Sequence, residues 1–152
     1  RLAALARAAL AADPVVTLVQ GDGALWPREP TDCVYVNFAV ERPAPLWLDR
    51  LSIGGRLIFP LAPAGRDDVA GVGLLVRRLD AGRFSARALE RVRFIHGLGE
   101  ALTAAPPERA ALGRALARGG LERIRALIRG APADPAACWH VGEGWALSFD
   151  PP

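Results

Sequence analysis

Gly21-Asp22-Gly23 places a carboxylate between two glycines, directly after the apolar run Val15-Val16-Thr17-Leu18-Val19-Gln20. Glycine lets the backbone take positive φ or come close to a ligand. In open α/β sheets, ligands bind outside the carboxyl ends of the strands. A carboxylate at such a corner points at whatever fills the crevice, although Gly-Asp-Gly is also ordinary turn chemistry. Asn37, near the end of the run Cys33 to Ala39, falls at the same sheet end if the two strands are parallel. His96 and His140 are the only histidines. Each also has a structural reading, as a half-buried ring bonded to a carbonyl. Cys33 and Cys138 lie far apart with no partner at metal spacing, so the sequence predicts two reduced, mostly buried thiols and no metal site.

The elements that would carry these residues follow from periodicity. Leu2, Leu5, Ala6, Ala9 and Leu10 form one stripe at helical spacing, predicting a surface helix on a sheet that ends by Asp13-Pro14. Val15 to Gln20 and Cys33 to Ala39 are apolar with little alternation, as expected of strands covered on both faces. Between them, Ala24 to Thr31 reads as a loop. Pro45 to Ser52 predicts a short helix with Leu46, Leu48 and Leu51 in the core, stopped at Gly54-Gly55, and Arg56 to Leu61 a third strand with Pro60 at its end. Gly71 to Leu79 and Phe84 to Ile95 predict a hairpin around Asp80-Ala81-Gly82-Arg83. Proline is tolerated in a first helical turn, so Pro106-Pro107 opens a helix with Ala111, Leu112, Ala115 and Leu116 inward. Leu121 to Arg129 predicts a second helix, and Cys138 to Phe149 a hairpin around Gly142-Glu143-Gly144. Alternating helices and strands specify a parallel sheet with right-handed crossovers.

With 152 residues, 51% of them hydrophobic, the chain is long enough to bury a core and too apolar for disorder. No apolar run is long enough to span a bilayer, so the reading is a soluble, cytoplasmic protein. All 19 basic residues are arginine and the net charge is only +3. The arginines on the later helices (Arg114, Arg118, Arg123, Arg125 and Arg129) read as a solvated face, and the pI of about 9.6 is not by itself a nucleic-acid signal.

In order and spacing, the Gly-Asp-Gly corner, the strand from Asp32 to Val36, and Leu51, Gly54, Gly55, Leu57 and Pro60 resemble the later part of class I S-adenosylmethionine-dependent methyltransferases. They are most similar to the protein-L-isoaspartate O-methyltransferase family. The resemblance covers residues 1 to 100, as the C-terminal part of a catalytic domain. Residues 101 to 152 are expected to form a helical and hairpin extension packed on the same domain, and the resemblance sets the fold of the rest. It implies an α/β fold with a Rossmann-like sheet, mostly parallel with antiparallel edge strands, whose N-terminal strands and glycine-rich cofactor loop would precede Arg1.

The resemblance further implies that Asp22 accepts a hydrogen bond from the adenine amino group of S-adenosylmethionine. Gly21 and Gly23 would let the ring approach, Asn37 would complete the cofactor site, and Phe38 and His96 would face the acceptor. The activity implied is methylation of protein or peptide carboxylates for repair, with no catalytic acid-base residue, by a monomer binding neither nucleic acid nor membrane. This chain alone is expected to bind cofactor weakly or not at all. The stretch Asn37-Phe38-Ala39-Val40-Glu41-Arg42-Pro43 departs from the family's small residue pair, leaving a different acceptor open. A non-catalytic interaction domain of the same shape, using its arginines on an acidic partner, and a nicotinamide enzyme on a similar sheet also stay open.

Overall fold

Short links make two of the hairpins in this molecule antiparallel, and a helical crossover makes one pair parallel. The structure, a computed structural model, describes residues 2–65 and 70–152. In chain order the main elements are α1 (Leu2–Leu10), β1 (Thr31–Tyr35), α2 (Pro45–Asp49), β2 (Leu51–Leu61), β3 (Gly71–Arg78) and β4 (Phe84–Val92). Then come α3 (Pro106–Arg118), β5 (Ala126–Arg129), β6 (Cys138–Gly142) and β7 (Trp145–Ser148). The strands form one sheet in the order β1-β2-β3-β4-β5-β7-β6. Only β1 and β2, joined by a crossover through α2, run parallel. Every other neighbouring pair is antiparallel.

The α/β class with a Rossmann-like parallel unit is present, but the expectation of a mostly parallel sheet is corrected. Parallel pairing needs a crossover of about a dozen residues or more, and the links at 79–83 and 143–144 are far too short. At the first of these, Asp80 Oδ1 accepts from the N–H groups of Gly82 and Arg83, and Oδ2 pairs with Arg83 Nε at 2.6 Å. Arg78 then donates to the carbonyls of Asp49 and Leu51, at 3.1 and 2.7 Å, tying this turn to the α2–β2 junction.

Side chains alternate across a strand, so Leu57, Phe59 and Leu61 of β2 and Val72, Leu74 and Val76 of β3 point to one face. These are fully buried and join one core with Trp47 and Leu48 of α2 and with Leu112, Ala115 and Leu116 of α3. The other face, with Arg56 and Ile58 of β2, Leu75 and Arg77 of β3, and Ser85 and Arg87 of β4, is exposed or half-buried.

Four local expectations change. Val15 to Gln20 forms no strand: Val15 lies in a turn, the stretch pairs with no strand among the described residues, and Val15, Val16 and Val19 are exposed. β-branched residues fit a pleated surface but do not hold a strand without neighbours. The stripe of α1 likewise buries nothing. Gly54-Gly55 does not stop a helix, because α2 has already ended at Asp49. Instead, Gly54 takes φ 82° inside β2, where the register against β1 shifts between Thr31 and Cys33. Leu121 to Arg129 is not a helix: after a 3₁₀ turn at Leu121–Arg123, Ala126–Arg129 forms β5 between β4 and β7.

Candidate functional site

Beyond Tyr35 the chain leaves its ladder and threads between two others. Val36 N–H still donates to Ile58 O at 2.9 Å, and Val40 N–H to Pro60 O at 2.9 Å. On the other side, Ala39 N–H donates to Ile95 O, and Gly97 N–H to Ala39 O, both at 2.9 Å. Asn37 and Phe38 therefore lie next to His96 and Gly97 at the carboxyl end of β1. A Cβ added to Gly97 would overlap the Phe38 ring, so the close passage of backbone over ring requires glycine there.

The glycine corner reaches the same place. Asp22 Oδ1 accepts from Ala24 N–H at 2.9 Å and caps a single 3₁₀ turn, Gly23–Leu25. The Gly23 carbonyl accepts from Trp47 Nε1 at 2.9 Å. Trp47 is 2% exposed, and a buried indole N–H needs an acceptor, so α2 holds the corner against the end of β1. The Phe38 and Trp47 rings meet edge to face with centroids 6.4 Å apart.

Together these groups form a cleft of about 400 Å³ lined by Gly21, Gly23, Trp26, Phe38 and Trp47 with Thr31, Cys33, Val34 and Tyr35 of β1 and the following Val36. Among the described residues no charged side chain lines it. Asp22 sits between two lining glycines at the edge of the cleft but does not itself line it; its Oδ1, which accepts from Ala24 N–H, lies toward Gly99. An apolar, aromatic-walled cleft with one carboxylate acceptor at the rim fits a flat heteroaromatic ring carrying an amino group.

Of the residues singled out in the sequence, Gly21, Gly23 and Phe38 line this cleft. Asp22 is exposed at the rim. Asn37 is exposed too, and takes a long 3.5 Å hydrogen bond from Tyr35 Oη. His96 is partly buried, with its backbone in a parallel bridge to Ala39. Trp26 and Trp47 were missed because helix and loop patterning treats a tryptophan as core. The usable signal was their number beside a glycine corner. Cys33 lines the cleft and is exposed, which corrects the expectation of a buried thiol.

Glu41 was also missed. It is 2% exposed and accepts from Arg109 Nε at 2.5 Å and Nη2 at 3.1 Å, and from the N–H groups of Ala64 and Ala104, both at 2.8 Å. Burial pushes its carboxyl up, but the Arg109 and backbone hydrogen bonds outweigh that and hold it below the usual carboxylate range. This pair pins the segment after Phe38 to the start of α3. His140 is 4% exposed, edge-on to Trp139 and Trp145. Burial first, and the nearby Arg118 second, push its imidazole down to about 4. Cys138 is a free thiol pushed up by burial and by Asp134 and Asp150. Among the described residues no group of three His, Cys, Asp or Glu could hold a metal ion, and no helix is long and apolar enough to cross a membrane.

The family model described as "Protein-L-isoaspartate(D-aspartate) O-methyltransferase (PCMT)" matches residues 2–101. The chain belongs to the protein-L-isoaspartate O-methyltransferase family. A solved structure of a protein-L-isoaspartate O-methyltransferase shares its fold, with a TM-score of 0.53 at 24% identity. The match covers 64% of this chain and 30% of that one, so this chain spans under a third of that relative's length. No curated protein matches the sequence. The stretch matched to the methyltransferase family holds every residue of the cleft and every site residue expected from the sequence. α3 and β5 to β7 lie beyond it, yet β5 continues the same sheet from β4 through the Phe84–Leu127 and Ser85–Ala126 pairs.

Proposed function

We propose that this chain carries the adenine-binding corner and the acceptor-side strand end of an S-adenosylmethionine-dependent carboxyl O-methyltransferase acting on isoaspartyl or D-aspartyl residues of proteins. The observation that supports it is the convergence of Gly21, Gly23 and Phe38 on one apolar cleft at the carboxyl end of β1, with Asp22 between the two glycines.

In this reading Asp22 takes the adenine amino group, Gly21 and Gly23 lie against the ring, and Phe38 closes the cleft. Asn37 and His96 stand at the strand end where the acceptor would enter. S-adenosylmethionine, when bound, supplies a methyl group on a sulfonium centre. The acceptor carboxylate is already ionised near neutral pH, so this chain's residues need to position it and not to move a proton. Positioning then dominates the rate, consistent with a cleft lined by no charged pair.

The test is transfer of labelled methyl from S-adenosylmethionine to an isoaspartyl peptide by the whole protein, with the aspartyl peptide as control. Methylation of the isoaspartyl form alone supports the reading. Equal labelling of both, or of neither, contradicts the assigned acceptor.

A further inference from the structure

The sheet face turned away from α2 and α3 carries a basic cluster that the cofactor cleft does not use. Arg56 on β2 and Arg77 on β3 are directly opposed across the ladder, Arg77 is opposed to Ser85 on β4, and Leu75 to Arg87. Alternation puts all of these side chains on one face. With Arg125, just before β5, the arginines line a groove of about 560 Å³ whose apolar lining is Leu75, Ala86 and Ile124. Among the described residues no acidic one lines it.

Like charges directly opposed on neighbouring strands work against folding. Four arginines elsewhere, Arg42, Arg83, Arg109 and Arg129, each meet a carboxylate. Among the described residues, Arg56, Arg77 and Arg87 meet none. Arg125 gives Nη1 to the carbonyls of Glu122 and Ile124 and keeps the rest of its guanidinium free of protein partners. At the opposed pair Ile58–Leu75 this groove adjoins a second one of about 420 Å³, walled by Tyr35, Leu89 and Phe94, in which Glu90 is the one charged residue.

We infer that this face docks an acidic, amphipathic polypeptide segment, with its carboxylates on Arg56, Arg77 and Arg87 and its apolar side chains in the adjoining groove. Guanidinium forks match carboxylates in bidentate geometry, and three strands set them side by side. A free phosphate would leave the apolar half uncovered. A single-stranded nucleic acid needs aromatic platforms among the cations; among the described residues none lines the arginine groove, and Tyr35 and Phe94 lie in the adjoining one. A second copy seated symmetrically would set arginine against arginine. The inference is independent of the methyltransferase reading.

The test is fluorescence anisotropy with the full chain and a dye-labelled 16-residue helical peptide that has leucines along one face and glutamates clustered at one end. Saturable binding is expected, falling steeply with salt, at least tenfold weaker for a leucine-free peptide of equal charge, and at least tenfold weaker for the Arg56→Gln/Arg77→Gln double variant. Because that variant removes a repulsion, it should melt no lower than the parent. If it melts lower, Arg87→Gln, which faces Leu75 and not another arginine, makes the same comparison. Failure of the peptide to bind, or equal binding by the arginine variant that keeps its melting point, overturns the proposal. So does equally tight binding of an oligothymidylate, or displacement of the peptide by tripolyphosphate at its own binding concentration.

Discussion

Trp47 Nε1 donates to the Gly23 carbonyl at 2.9 Å, so the short helix that makes β1 and β2 parallel also fixes the corner where a ligand would sit. One crossover serves both ends: it sets strand direction, and its single buried indole sets the position of Asp22.

Trp47→Phe tests that coupling. It keeps most of the ring packing against Phe38 and removes the hydrogen bond, which is worth about 1 kcal/mol net. A small fall in melting temperature is expected, together with weaker binding of S-adenosylmethionine to the whole protein. A variant that loses stability but keeps full cofactor affinity would show that the indole supports the fold only.

Gly97→Ala should be costlier than its one methyl suggests. The new Cβ overlaps the Phe38 ring, and overpacking of this kind costs about 1–3 kcal/mol. Denaturant unfolding measures the loss. Adding Phe38→Leu should return part of it, since the clash is with that ring and not with backbone.

Arg109→Leu leaves Glu41 buried without its cation. Removing the cation from a buried carboxylate is destabilising, and the loss is moderated here because the Arg109 side chain is 33% exposed and water screens part of the attraction. Glu41→Gln in the same background should recover stability by removing the stranded charge. The Glu41 carboxyl is held below its ordinary value, so its contribution is complete above that value and is lost as pH falls through the folded one.

His140 gives a separate, milder acid window. Its imidazole is pushed from 6.5 down to about 4 in the fold. Between those values the unfolded chain binds a proton that the folded chain does not. Stability is therefore full above the ordinary value and declines by roughly 3 kcal/mol as pH falls to the folded one. Urea unfolding of the parent across this range should show the slope, and His140→Phe should flatten it.

Several elements could be read directly from residue types. The Asp80–Arg83 turn carries its own chemistry in Asp80, and α3 announces itself through Pro106-Pro107 and the stripe that buries Leu112, Ala115 and Leu116. The corner and the strand end were legible because glycine, aspartate and a following apolar run recur in a fixed order. What failed depended on partners distant in sequence. Val15 to Gln20 has the composition of a strand and no neighbour among the described residues to pair with. In Leu121 to Arg129 the spacing of Leu121, Ile124, Leu127 and Ile128 fits a helix, but a run this short is ambiguous, and β4 and β7 claim its second half. The ion pair of Glu41 with Arg109 joins residues too far apart for any local pattern to show.

The account rests most on Asp22, and calorimetric titration of S-adenosylmethionine into the whole protein, parent against Asp22→Ala, tests it most directly. A hydrogen bond to a charged acceptor is worth about 1.5–3 kcal/mol, so the variant should bind some ten- to hundredfold more weakly while melting close to the parent. Equal affinity in the two proteins would mean that Gly21-Asp22-Gly23 is a turn and not the adenine site.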